Sequence, residues 1–238
     1  MKIALIGYGK MGKTIEKMAT EQGHEVVLKF DVNNFDAFTI KKIQQADVAI
    51  EFTRPESAYE NIKKCIEAGV PVVSGTTGWL EKKDEVDALC KEKGSAFFYA
   101  SNYSVGVNIF FALNKFLAKM MNEQPQYKIE TEEIHHTQKL DAPSGTSITL
   151  AEGIIENIKN KKAWINQAST AKNKVPIISK RIDKVPGTHT INYQSAIDDI
   201  EIKHTAHSRA GFAGGAIQAA AWIIGKKGVF GMSDMLGF

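Results

Sequence analysis

One stretch of the chain gathers proton-transfer and anion-binding groups at a density found nowhere else in it: Glu133-Ile134-His135-His136-Thr137-Gln138-Lys139-Leu140-Asp141-Ala142-Pro143-Ser144-Gly145-Thr146. His135 and His136 are adjacent imidazoles, and imidazole is the side chain that changes charge near neutral pH, so either can give or take a proton. Lys139 adds a cation or an acid. Asp141 to Thr146 reads as a turn opening a helix, and the first N–H groups of a helix have no partner inside it. With Ser144 and Thr146 hydroxyls beside them, those donors suit a carboxylate or a phosphate. The chemistry implied is protonation of an anionic small molecule. A bare His-His pair is more often surface or core than catalytic; Lys139 and the Ser144-Gly145-Thr146 turn reverse that reading.

The elements that must position this stretch can be read on either side of it. Residues 127 to 134 predict a strand that delivers His135, and Ser144 to about Lys159 predicts a helix. Upstream, an amphipathic helix is expected over about 105–121, with Phe110, Phe111, Leu113, Phe116 and Leu117 as core. Downstream, residues 163–175 are poorly patterned and read as a loop. Three strand-like runs follow without intervening helices (176–182, 188–197 and 199–207), which indicates an antiparallel or mixed sheet. Residues 105–208 therefore read as an α+β domain. His204 and His207 lie close together on the last run, but no third ligand cluster accompanies them, and they read as structural or exposed with no metal site.

The N-terminal part has a different rhythm. Ile3 to Ile6 is a short apolar run suited to a strand buried on both faces, and it leads straight into Gly7-Tyr8-Gly9-Lys10-Met11-Gly12. At a strand–helix junction this GxGxxG is a dinucleotide fingerprint. Gly7 makes the tight turn, Gly9 lets backbone approach a pyrophosphate, and Gly12 allows close helix–strand packing. Asp31 ends the second strand, where a carboxylate would bond an adenosine ribose. No Arg or Lys follows it, only Val32-Asn33-Asn34, which leans toward NADH or dual use over strict NADPH. Thr53 and Glu56 have capping-box spacing, with Pro55 in the first turn of the next helix. Gly75-Thr76-Thr77-Gly78 closes another strand where parallel sheets present ligand-binding loops. The alternation continues through a helix over 80–93 and a strand over 96–100. It predicts a Rossmann-like, doubly wound parallel sheet. An Ala-rich helix from about 208 to 225 is expected to return to this domain, giving 1–104 plus 209–238 as dinucleotide-binding and 105–208 for substrate binding and oligomerisation.

The whole-chain numbers bound these readings. At 238 residues there is length for one or two domains with real cores. The net charge of +3 is small and its cations dispersed, which argues against nucleic acid. No run of apolar residues is long enough to cross a bilayer, and no charged-then-apolar leader opens the sequence, so a cytoplasmic protein is expected. Cys65 and Cys90 lack CxxC spacing and read as reduced, buried thiols.

Taken together, these blocks resemble the 4-hydroxy-tetrahydrodipicolinate reductase family (older name dihydrodipicolinate reductase) of lysine and diaminopimelate biosynthesis. The residues that carry the likeness are Gly7 to Gly12, Glu51-Phe52-Thr53-Arg54-Pro55-Glu56, Gly75 to Gly78, Ser101 to Asn108, and the 133–146 stretch. They stand in the family's order over nearly the whole chain. The resemblance implies nicotinamide-dependent reduction of a cyclic imine dicarboxylate, with His135 as proton donor or acceptor and Lys139 as proton donor. It implies that His136, Ser144, Gly145 and Thr146 hold substrate carboxylates, and that Thr77 lies near both cofactor and substrate. Phe52, Thr53, Gly75, Thr76, Ser101, Asn102, Tyr103 and Ser104 would line the nicotinamide side, and Arg209 would be a supporting or hinge residue. It also implies a homotetramer built through the second domain's sheet. The chain is short for the family, and the missing cation after Asp31 departs from its pattern. Two other readings compete: a different two-domain Rossmann dehydrogenase of amino-acid metabolism, and a non-catalytic nucleotide-binding regulator. The first predicts other catalytic blocks. The second predicts loss of the proton-transfer residues beside retained glycines.

Overall fold

The structure, a computed structural model, describes residues 1–208 and 210–238; Arg209 lies outside the described residues. Two compact units result: Met1–Val105 with Ala210–Phe238, and the chain from Gly106 up to Arg209.

The first unit is built on short strands with apolar residues on both faces, the composition of a parallel sheet covered on each side. In chain order it runs β1 (Lys2–Ile6), α1 (Lys10–Glu21), β2 (Glu25–Phe30), a 3-10 turn (Phe35–Ala37), α2 (Ile40–Ile43), β3 (Val48–Glu51), α3 (Pro55–Glu67), β4 (Val72–Ser74), a 3-10 turn (Leu80–Lys82), α4 (Lys83–Lys93) and β5 (Ala96–Tyr99). After the second unit the chain adds α7 (Ala210–Ile223), β11 (Gly228–Phe230) and α8 (Met232–Leu236). The strands are parallel in the order β2-β1-β3-β4-β5-β11. The order reverses between β1 and β3, and ligands of such sheets bind beyond the carboxyl ends of the strands at that point.

Because side chains alternate along a strand, each strand feeds two cores. Ile3, Leu5, Ile50, Val73 and Phe98 pack with Ile15 of α1 and with Ala213, Ala216 and Ala220 of α7. Ala4, Ile6, Ala49, Val72 and Phe97 pack with Ile62 and Cys65 of α3 and with Val86 and Cys90 of α4. Both cysteines are free and buried, and burial pushes the Cys65 thiol well up. The capping box expected from Thr53 and Glu56 does not form. Arg54 takes the N-cap position of α3, Pro55 sits at its first turn, and Thr53 turns away to Glu51.

The second unit comprises α5 (Val105–Met121, its residues from Gly106 on), β6 (Lys128–His135), α6 (Gly145–Asn157), β7 (Ala163–Ile165), β8 (Lys174–Arg181), β9 (Gly187–Gln194) and β10 (Asp199–Ala206). Its sheet is mixed, in the order β10-β9-β6-β8-β7, with β9 antiparallel to both neighbours and β6, β8 and β7 mutually parallel. Ile129, Ile177, Ile191 and Tyr193 of this sheet form one core with Phe110, Leu117 and Met121 of α5 and Leu150 and Ile154 of α6. Two expectations need correction. Leu113 and Phe116 are exposed, because the buried stripe of α5 runs through 107, 110, 114, 117, 118 and 121. Part of the 163–175 segment is strand, since Ala163–Ile165 pairs with Lys174–Pro176.

Candidate active site

In the first unit the glycine motif follows directly from β1. Gly7 has φ +95°, and a Cβ there would lie 1.9 Å from the Phe52 carbonyl oxygen at the end of β3. A Cβ at Gly12 would lie 2.3 Å from the Gly7 carbonyl oxygen. Both positions are closed to any side chain. Gly9, the N-cap of α1, is the opposite case: a Cβ there meets nothing within 4 Å. The N-terminus of α1 thus opens onto space where an anion can approach its amides. Lys10 and Met11 form the first turn of that helix. The Tyr8 hydroxyl donates to Glu16, and Lys29 lies 3.0 Å from Glu16 Oε1 and over the Tyr8 ring. At the end of β2, Asp31 Oδ1 accepts the Asn33 N–H at 2.8 Å, and the Asp31 N–H donates to Asn34 Oδ1 at 2.8 Å.

Glu51, fully buried at the end of β3, organises the neighbouring loops. It accepts hydrogen bonds from Ser74 Oγ at 2.5 Å, Thr76 Oγ1 at 2.8 Å, the Thr53 N–H at 2.9 Å and the Thr53 hydroxyl. Burial pushes its carboxyl up, against the opposing pull of these donors. The Thr76 hydroxyl is thereby turned inward, while Thr77 next to it is exposed. A Cβ at Gly75 would lie 2.1 Å from the Phe52 ring, so this glycine makes room for that ring. Tyr103 is buried too, its hydroxyl donating to the Ser74 carbonyl at 2.6 Å and its ring lying beside Phe52 and Phe98. Asn102 Oδ1 accepts the Ser104 N–H at 2.9 Å, and Ser101 is exposed.

In the second unit β6 is central, and its alternation buries Ile129, Thr131, Glu133 and His135 on one side. Register then selects their neighbours. Glu133 stands opposite His189 on β9, and His135 stands opposite Arg181 on β8. The Glu133 carboxylate is fully buried and gathers the surrounding donors. The Ser144 N–H reaches its two oxygens at 3.2 and 3.1 Å, Ser147 Oγ lies at 2.9 Å and Arg181 Nη2 at 3.2 Å. His135 Nδ1 is 3.3 Å from Glu133 Oε2, and His189 Nε2 is 3.9 Å from the same atom. Burial alone would push the Glu133 carboxyl up, but the His135 imidazole and the Ser144 contacts hold it well below the usual carboxylate range. Burial, aided by the His135 ring, pushes His189 down to about 4, so it is neutral at neutral pH.

β6 ends at His135, and the chain turns through His136 and Lys139 into α6. Lys139 Nζ donates to both oxygens of Asp141 at 2.7 Å, and the Lys139 N–H donates to the His136 carbonyl at 3.1 Å. Arg181 grips this turn from β8, donating to the Asp141 carbonyl at 2.5 Å and to the Lys139 carbonyl at 3.4 Å. Ser144 is the N-cap of α6, its hydroxyl accepting the Ser147 N–H and lying 3.3 Å from His189 Nε2. The Ser144 hydroxyl and N–H are therefore used inside the protein. The next donors of the helix, the N–H groups of Gly145 and Thr146, remain at its open end, and a Cβ at Gly145 would meet nothing within 4 Å.

Three residues of this arrangement have no role in the sequence reading. Glu133 lies within the quoted stretch, while Arg181 and His189 lie about fifty residues downstream. The signal for Glu133 was an acid at an inward position of an alternating strand. Arg181 and His189 are visible only once strand register is known. Glu133, His135 and His189 also offer ligand atoms within 4.8 Å of one another, a set able to hold a metal ion. With Arg181 balancing the carboxylate and two serines on its oxygens, the set reads instead as an acid–base cluster, in which both imidazoles lie at ion-pair distance from the carboxylate without an aligned hydrogen bond to it.

Comparisons with known proteins agree along the whole chain. The family model "Dihydrodipicolinate reductase, N-terminus" matches residues 1–103, and "Dihydrodipicolinate reductase, C-terminus" matches residues 106–236. A 4-hydroxy-tetrahydrodipicolinate reductase of Christiangramia forsetii is 49% identical over 239 residues, covering 99% of this chain and 98% of that one. A protein of the same name from Methanoregula boonei is 33% identical, again over 99% and 98% of the two chains. Among solved structures, a dipicolinate-bound dihydrodipicolinate reductase from Paenisporosarcina sp. TG-14 superposes with a TM-score of 0.80 at 22% identity, covering 98% of each chain. That likeness shows the fold.

Proposed function

The chain belongs to the dihydrodipicolinate reductase family, and from that premise we propose how its own residues carry the reaction. The protein is an NAD(P)H-dependent 4-hydroxy-tetrahydrodipicolinate reductase of lysine and diaminopimelate biosynthesis. The observation that carries the residue assignment is that His135 and the N-cap of α6 both meet one buried carboxylate, Glu133, which Arg181 ties to the turn carrying Lys139.

The dinucleotide fits the first unit, where Gly9 leaves the N-terminus of α1 open and Gly7 and Gly12 allow the close turn beneath it. When bound, the nicotinamide supplies the hydride. Asp31 holds the adenosine ribose through the carboxylate oxygen that Asn33 does not occupy. No cation follows Asp31, and Lys29 is engaged by Glu16, which supports NADH or dual use. Phe52, Thr53, Gly75, Thr77, Ser101 and Asn102 border the nicotinamide, with Thr76 and Tyr103 holding the loops that present them.

On the substrate side, the N–H groups of Gly145 and Thr146 and the positive end of α6 receive one carboxylate. His136 and Lys139 receive the other, Lys139 exchanging Asp141 for the substrate. Hydride addition to a conjugated imine leaves electron density on nitrogen or the adjacent carbon, and a positioned acid must neutralise it. Lys139 is that donor, and His135 gives and takes protons beside it. We assign the assembly as a homotetramer formed through the second unit's sheet. Exposed Ile109, Leu113, Phe116 and Met120 on α5 and Ile200 on β10 are apolar surface available to further copies.

The assignment is tested by following loss of reduced-nicotinamide absorbance, with substrate generated in situ from pyruvate and aspartate semialdehyde. NADH and NADPH are compared side by side. Turnover with NADH at least comparable to NADPH is expected. Strict NADPH dependence would overturn the reading of Asp31, and no turnover with either would overturn the reductase assignment.

A further inference from the structure

We propose that Glu133 and Arg181 form a positioning pair for proton transfer, Glu133 fixing the His135 imidazole and Arg181 fixing the turn that carries Lys139. The proposal deepens the reductase reading and rests on it. Its basis is the geometry within the second unit. Glu133 is fully buried on β6, two residues before His135, and its Oε2 lies 3.3 Å from His135 Nδ1, an electrostatic contact at a buried nitrogen that has no aligned hydrogen-bond partner. A carboxylate beside Nδ1 favours the tautomer protonated there, which leaves Nε2 as the atom that exchanges protons. On that other side stands Gly187, where a Cβ would lie only 3.1 Å from His135 Nε2, so the position without a side chain keeps the reactive nitrogen clear.

Arg181 completes the pair. One nitrogen, Nη2, bridges the Glu133 carboxylate at 3.2 Å and the Asp141 carbonyl at 2.5 Å, while Nε reaches the Lys139 carbonyl at 3.4 Å. A single planar cation therefore ties the buried acid to the backbone on both sides of Leu140. Lysine, a point charge on a flexible stem, cannot reproduce that fork. Neither residue reaches the reacting atoms; both act through His135 and Lys139. The pair also explains why an ionised carboxylate is tolerated at a site without water contact, since an unbalanced buried charge is strongly unfavourable.

The test uses the full-length enzyme with Glu133→Gln and Arg181→Lys. Three measurements are made on each: kcat and KM by nicotinamide oxidation, the dissociation constant for pyridine-2,6-dicarboxylate in the presence of NADH, and the 15N resonances of labelled histidine side chains. For Glu133→Gln we expect kcat to fall ~10²-fold with analogue affinity within about 3-fold, since the loss lies in proton transfer and not in binding. The His135 resonances should lose the Nδ1-protonated signature. For Arg181→Lys we expect kcat to fall ~10-fold, the cation being kept and the fork lost. Wild-type turnover separates the two outcomes: an inactive wild type defeats the reductase assignment itself. An active wild type whose Glu133→Gln variant keeps kcat and the His135 signature defeats the positioning pair. Should Glu133→Gln fail to fold, Arg181→Lys decides, and unchanged kcat there overturns the proposal.

Discussion

A neutral His189 lies 3.9 Å from an ionised Glu133, and both protonation states are set by the fold. For His189 the folded value of about 4 is below the free value of 6.5. As pH falls below 6.5 the unfolded chain takes up the proton first. The stability contribution is therefore complete above pH 6.5 and is lost progressively down to about 4, on the order of 3 kcal/mol at most. Glu133 acts in the same sense from its ordinary value of 4.5 downward, because its folded carboxyl is also held low. Urea midpoints of the wild type should thus decline between pH 7 and pH 4.5, and His189→Asn should flatten the decline between 6.5 and 4.5. Equal slopes in the two proteins would show that His189 does not carry the effect. At this scale the stretch from Glu133 to Thr146 is legible because its residues are consecutive. Arg181 and His189 were not, because only the pairing of β8 and β9 with β6 brings them to Glu133.

Among elements, the β1–α1 junction makes the firmest demand on sequence. Gly12 has no room for a methyl group against the Gly7 carbonyl, and that neighbour is backbone, which cannot swing aside. Gly12→Ala should lower the thermal midpoint and largely abolish the further rise that NADH gives the wild type. A normal NADH-induced rise in this variant would contradict the placement of the dinucleotide. Likewise, removing one donor from buried Glu51 with Thr76→Val should cost ~1–3 kcal/mol by equilibrium unfolding, since the carboxylate keeps its burial and loses a partner. Local patterns made this unit readable: strand, glycine turn and helix follow one another within about twenty residues. Four elements carry no sequence signal of their own, α2, β7, β11 and α8, none longer than five residues. They are too short to show a period, and β7 and β11 exist because a longer strand beside them supplies hydrogen bonds. The absent capping box has a similar cause. Thr53 has the right spacing to Glu56, but buried Glu51 competes for its hydroxyl and wins.

For the whole molecule, the exposed residues Ile109, Leu113, Phe116 and Met120 recur every three or four positions along α5, a continuous apolar face. Light scattering on size-exclusion eluates should give a tetramer mass for the wild type. Phe116→Glu should shift the mass downward if this face lies between copies, and an unchanged tetramer would place the contacts on the sheet alone. The sequence could not separate the core stripe from the exposed apolar face on α5, because both are apolar and both follow the helical period. The proposed proton donation by Lys139 is open to one decisive comparison. The wild type and Lys139→Ala are assayed for nicotinamide oxidation, and their affinities for pyridine-2,6-dicarboxylate are measured alongside. In Lys139→Ala, kcat should be lower by ~10²–10⁴-fold, with analogue binding weakened far less. A variant that turns over at the wild-type rate, or that loses analogue binding in full proportion to activity, would contradict it.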